Sequence, residues 1–105
     1  MAWIFLLTAG LLEIAWATGL KKLGQSPTWA IGTLTSLAMI LSLVTLYVAM
    51  TRLPLGIAYP IWTGIGSVGS VMVSVLIFNQ NLSWASIVGM ILLLAGMFLL
   101  GSEAH

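Results

Sequence analysis

Four apolar runs, each about one bilayer core in length, occupy nearly the whole chain, near residues 2–20, 29–51, 55–78 and 82–101. A helix crosses the hydrocarbon core with about 20 apolar residues. Backbone polar groups find no water there, so a spanning segment must satisfy them within itself, as a helix does. Only KKLGQSP (21–27), TRLP (51–54) and NQNLS (79–83) separate the runs. Connections this short pack neighbouring helices antiparallel. The chain therefore reads as an all-α membrane protein, with residues 1–105 forming a single four-helix transmembrane domain.

Composition agrees. Apolar residues make up 61% of the chain and charged residues 5%, against about a quarter charged in a soluble domain. The net charge of +1 provides no basic patch, so nucleic acid is not an expected partner. With no cysteine and a single histidine, His105, neither a thiolate nucleophile nor a metal site can be assembled. No nucleophile–base set is visible, so the chain does not read as an enzyme, and no cofactor is implied. The first run lacks a basic leader and carries Glu13, unlike the apolar core of a signal peptide.

Local signals place the helix ends. Ser26 is the expected N-cap of the second helix, with Pro27 in its first turn, and Asn81 or Ser83 caps the fourth. Trp3, Trp29 and Trp84 lie at span ends, where an interfacial aromatic belt forms. Arg52 and the N-terminal amine share one membrane side, and Lys21 and Lys22 share the other. Basic residues in short loops set orientation. The near balance leaves two readings open: insertion both ways, or one orientation fixed by a single extra lysine. Gly89 and Gly96, seven apart, fall on one face of the fourth run. Gly66, Ser70 and Ser74 recur every four in the third. Such small residues permit close helix approach, although glycine is also simply common in membrane helices.

Glu13 is the only acid within a span. A carboxylate at mid-bilayer costs roughly 2.5–3.5 kcal/mol on insertion scales, and intramembrane acids are functional as a rule. The structural alternative is a protonated glutamate hydrogen-bonded between helices. No span contains Lys or Arg, and Lys21 and Lys22 lie about two turns away, so the counter-ion must be mobile: a proton or a cationic substrate. Trp16 follows on the same face. Tyr59 and Trp62 lie inside the third span and Ser42 near the middle of the second. All four could donate hydrogen bonds to a carboxylate, and the aromatic rings could face a cation. Core packing explains Tyr59 or Trp62 singly just as well, and bonding back to its own helix explains Ser42.

These residues resemble the small multidrug resistance transporters over essentially the whole chain. LLEIAWATGLKK (11–22), LPLGIAYPIWTGIG (53–66) and GMILLLAG (89–96) carry the resemblance. Trp16 in EIAW and the WTGIG of 62–66 look like the guanidinium-exporting branch. The resemblance implies a proton-coupled antiporter in the bacterial inner membrane, working as an antiparallel, dual-topology homodimer. It implies that Glu13 binds substrate and protons and that Trp16, Ser42, Tyr59 and Trp62 surround it. Gly64 and Gly66 would mark a hinge, and Gly89 and Gly96 the dimer contact. The proton is then the coupling ion and a small cation such as guanidinium the substrate. Pro60 stands where the family usually has alanine, and NQN (79–81) where the loop usually carries a glutamate. A quaternary-ammonium exporter, a passive channel and a structural membrane subunit are the alternatives.

Overall fold

A computed structural model describes residues 1–103, so the expectation drawn from His105 lies outside the described residues. Four helices follow one another: α1 (Ala2–Gln25), α2 (Trp29–Met50), α3 (Leu55–Leu76) and α4 (Trp84–Ser102). All four are long and apolar enough to cross a membrane. The protein is a multi-pass integral membrane protein, as the four runs predict.

The helix ends differ from expectation where side chains compete with backbone. α1 does not stop near residue 20 but continues through the lysines to Gln25. Lysine is a good helix former, and its charge suits a helix C-terminus. Ser26 closes this helix, its amide donating to the Lys22 carbonyl at 2.8 Å. Ser26 is thereby the C-cap of α1 and not the N-cap of α2. Thr28 caps α2 instead, accepting from the Ile31 amide at 3.1 Å, and Pro27 precedes the cap rather than lying in the first turn. Ser83, not Asn81, caps α4 by accepting from the Ser86 amide. Asn79 takes a left-handed conformation (φ 56°), which asparagine tolerates. It turns the Gln80 amide back onto the Ser74 carbonyl at 3.0 Å.

α1 packs against α2 and α3, while α4 attaches mainly to α3. The result is a thin layer, 44 × 34 × 16 Å. α1 and α3 run parallel, with α2 and α4 opposed to them. The buried apolar cluster joins Leu6 and Ala9 of α1, Leu46 and Ala49 of α2, and Ile57, Ala58, Ile61 and Trp62 of α3. Met97 and Leu100 of α4 pack against it. All of it lies toward the Met1–Arg52 face. Every buried residue of α1 precedes Glu13, so packing is tight on one side of that glutamate and loose on the side of Lys21. α4 buries none of its own residues and presents Leu92, Phe98 and Leu99 outward. Outward apolar side chains suit a lipid solvent.

Candidate functional site

Glu13 sits midway along α1, where the tight half of the protomer gives way to the loose half. Its carboxylate lies against Gly66 of α3, so a Cβ at that glycine would overlap Oε1. Ile14 seats against Gly69 and Ile65 against Gly10 in the same way. Three glycines thus bring α1 and α3 together on either side of the carboxylate. Glu13 Oε1 is buried with no hydrogen-bond partner, and so is Nε1 of Trp16. An acceptor and a donor are therefore both unsatisfied one turn apart on one helix. Leaving a buried polar atom unpaired costs about 1–3 kcal/mol, so the carboxylate oxygen is poised for a ligand that donates to it.

Ser42 and Trp62 do not donate to Glu13 as the sequence reading expects. Ser42 is fully buried, and its hydroxyl donates to the Ala9 carbonyl at 2.8 Å. Trp62, 6% exposed, donates Nε1 to the same carbonyl at 3.2 Å and to Ser42 Oγ at 3.1 Å. The physical reason is helical geometry. Ala9 is one turn before Glu13, and its carbonyl has a second lone pair open to donors from α2 and α3. Nor does Ser42 bond back to its own helix. Its partner lies across the α1–α2 contact, which ties the two helices together. Sequence offers no signal for such a node, because the acceptor is backbone.

Tyr59 packs its ring against Trp62, with centroids 5.5 Å apart and a 53° tilt. It remains 49% exposed, at the edge of the group. Ser42 and Trp62 thus meet at the Ala9 carbonyl, one turn before Glu13, with Tyr59 packed on Trp62, while Trp16 follows Glu13 by one turn on α1. The donors of Ser42 and Trp62 are engaged one turn away from the acid.

α3 runs unbroken from Leu55 to Leu76 across Gly64 and Gly66. In this conformation the two glycines are contact points: Gly66 receives the Glu13 carboxylate and Gly64 the Met97 sulfur. Pro60 lies inside α3 without interrupting it. A Cβ at Gly89 or at Gly96 would meet no atom of the protomer within 4 Å. Both glycines thus lie on an unoccupied side of α4. No group of three or more metal-ligating side chains occurs among the described residues.

Comparison with known proteins bears on this arrangement. The family model described as Small Multidrug Resistance protein matches residues 1–93. A guanidinium exporter of Salmonella typhimurium is 42% identical over 105 residues, covering all of both chains. A guanidinium exporter of Citrobacter freundii is 41% identical with the same full coverage. One of Yersinia pseudotuberculosis is 43% identical over 96 residues, covering 91% of this chain and 92% of that protein. A four-helix layer centred on one membrane-embedded acid, matched along its whole length, places the chain in the small multidrug resistance family.

Proposed function

We propose that the protein exports guanidinium and small guanidinyl cations across the bacterial inner membrane in exchange for protons. The observation that carries this reading is the buried Glu13 oxygen, which has no hydrogen-bond partner. Full-length similarity to guanidinium exporters supports the choice of cation. Guanidinium is a planar set of N–H donors that meets a carboxylate through two parallel hydrogen bonds. Like the arginine side chain it stays charged at physiological pH, so it hardly crosses lipid unaided. A proton and the cation compete for one carboxylate, and each displaces the other.

The working unit is an antiparallel homodimer. A layer 16 Å thick is too thin to enclose a cavity alone, and two copies would place two Glu13 side chains near a common centre. Opposed copies in unlike conformations would exchange them, opening the site to each side in turn. Bending of α3 at Gly64 and Gly66 accompanies that exchange. It would release the donors of Ser42 and Trp62 from Ala9 toward the acid, while Trp16 and Tyr59 complete the surround.

The test is guanidinium transport into proteoliposomes with and without a pH gradient, with Glu13→Gln as control. The wild type should accumulate guanidinium against its own gradient when protons leave, and the amide variant should not. Flux indifferent to the pH gradient would identify a passive channel. Transport of quaternary ammonium ions in preference to guanidinium would move the protein to the other branch of the family.

A further inference from the structure

The end of the molecule that carries Lys21 and Lys22 holds no acid to match them. The acidic residues of the chain are Glu13, at mid-span, and Glu103, at the opposite membrane face. The stretches that reach the lysine end, KKLGQSP (21–27) and NQNLS (79–83), contain neither Asp nor Glu. The two lysines also part company. Lys21 lines a small crevice between α1 and α3. Lys22 opens onto a groove of about 400 Å³ between α1 and α2. Lys22 follows Glu13 by nine residues, about two and a half helical turns. The groove therefore lies on the side of α1 opposite the carboxylate.

The groove is graded from polar to apolar along its length. Lys22 stands at its mouth, in the last turn of α1. Thr18 lies one turn deeper on the same face, and Thr35 of α2, seated against Gly19, lines the groove at that depth. Ala15, Leu34 and Ala38 form the inner end, about 10 Å from Lys22 along α1. Thr35 is the unusual member. It is only 6% exposed, and its Oγ1 lies where a Cβ at Gly19 would overlap it. Thr8, Thr18, Ser36 and Thr45 each donate to the carbonyl four residues earlier in their own helix. A hydroxyl in apolar surroundings ordinarily does so. The Thr35 hydroxyl donates to no group among the described residues. Such a buried donor is costly to leave unpaired, and a ligand oxygen in the groove would satisfy it.

We propose that this groove binds an anionic phospholipid. The phosphate meets Lys22, a glycerol ester carbonyl accepts from Thr35, and an acyl chain runs along Ala15, Leu34 and Ala38. The site is independent of the cation at Glu13 and of the transport reading. The grading of the groove selects a lipid: an ammonium at the interface suits the phosphate, a single donor below it suits an ester oxygen, and an apolar floor suits hydrocarbon. Basic pockets between membrane helices recognise anionic headgroups in this way. The lysine stem carries its charge to the headgroup layer while its methylenes stay over the groove. No acidic side chain lines the groove to compete for Lys22.

The test is binding of phosphatidylglycerol to the detergent-solubilised protein, followed by native mass spectrometry, with phosphatidylcholine as the zwitterionic comparison. Phosphatidylglycerol should bind the wild type more tightly. Lys22→Gln should weaken it about fivefold, the scale of one interfacial charge, and Lys22→Arg should restore the affinity. Lys21→Gln removes the same charge from the α1–α3 crevice instead and should leave binding at the wild-type value. Thr35→Val, which keeps the shape without the hydroxyl, should weaken both lipids, because both carry the ester. Equal loss from Lys21→Gln and Lys22→Gln would reduce the effect to net charge and overturn the site. Equal affinity for the two lipids, or unaltered affinity in Thr35→Val, would do the same. Glycerol phosphate, which has no acyl chain, should not displace the lipid; full displacement would make this a plain anion site. Loss of the dimer in Lys22→Gln, with no lipid retained by the wild type, would give the groove to a second copy of this chain.

Discussion

Glu13 and Gly66 pack as a pair, because the missing side chain of one makes the seat for the carboxylate of the other. Replacing Gly66 by alanine forces a choice between moving a helix and moving the far end of a flexible glutamate. The second is far cheaper, so the carboxylate should be displaced while the fold persists. Overpacking typically costs about 1–3 kcal/mol, so guanidinium affinity should fall roughly ten- to hundred-fold. Titration calorimetry reads the loss, and an unchanged unfolding temperature shows that the protomer has survived. A proton and the cation should also compete at Glu13. On the proposed reading the ionised carboxylate binds guanidinium and the protonated acid does not. Apparent affinity should thus be full at alkaline pH and decline as pH falls through the titration of the acid. Affinity that stays flat from alkaline to acid conditions would remove Glu13 as the shared site.

α3 shows how a local rule is broken at modest expense. Pro60 has no amide to give the Gly56 carbonyl, and its ring crowds that carbonyl. The helix nevertheless persists, because the residues around Pro60 belong to the apolar core: Ile57, Ala58, Ile61 and Trp62 are buried against α1 and α2. Pro60→Ala should raise the stability of α3 by up to about 3 kcal/mol, read as a higher midpoint in denaturation of the detergent-solubilised protein. Tyr59 precedes the proline and packs on Trp62. The substitution should therefore also alter guanidinium affinity if the proline aims that ring. The same helix ends on Asn79, whose left-handed turn returns the Gln80 amide to Ser74. Asn79→Ala should loosen this end, because alanine pays for φ above zero and asparagine tolerates it.

At the scale of the molecule, the protomer is a layer with one side of α4 unoccupied. Neither Gly89 nor Gly96 has a neighbour that an added side chain would strike. Gly89→Leu with Gly96→Leu should consequently leave the protomer folded and membrane-inserted while weakening dimerisation. Crosslinking or size-exclusion measurements would show monomers, and an undiminished dimer would place the contact elsewhere. An antiparallel pair of one chain requires insertion in both orientations. Reporters fused to the C-terminus should therefore be detected on both sides of the membrane. Detection on one side alone would leave only the fixed-orientation reading.

The sequence by itself determined the architecture and pointed to the central residue of the proposed site. Four bilayer-length apolar runs with short breaks admit little besides four spanning helices. One acid without a resident cation marks the candidate site, because burying such a charge for structure alone is costly. Helix ends were less legible. Lys21–Gln25 continue α1, and Thr28 takes the cap expected of Ser26, because several residues near each end can satisfy the same backbone groups. Only the tertiary structure decided what the site side chains touch. Ser42 and Trp62 converge on the Ala9 carbonyl, an acceptor present at every residue and so invisible in a string of side chains. Gly66 emerged as the seat of the carboxylate, since a glycine spacing records that helices approach but not which group fills the gap. The division between a tight half and a loose half at Glu13 likewise belongs to the packing of α1 against both neighbours. That packing depends on contacts between residues far apart in the chain, which local pattern does not encode.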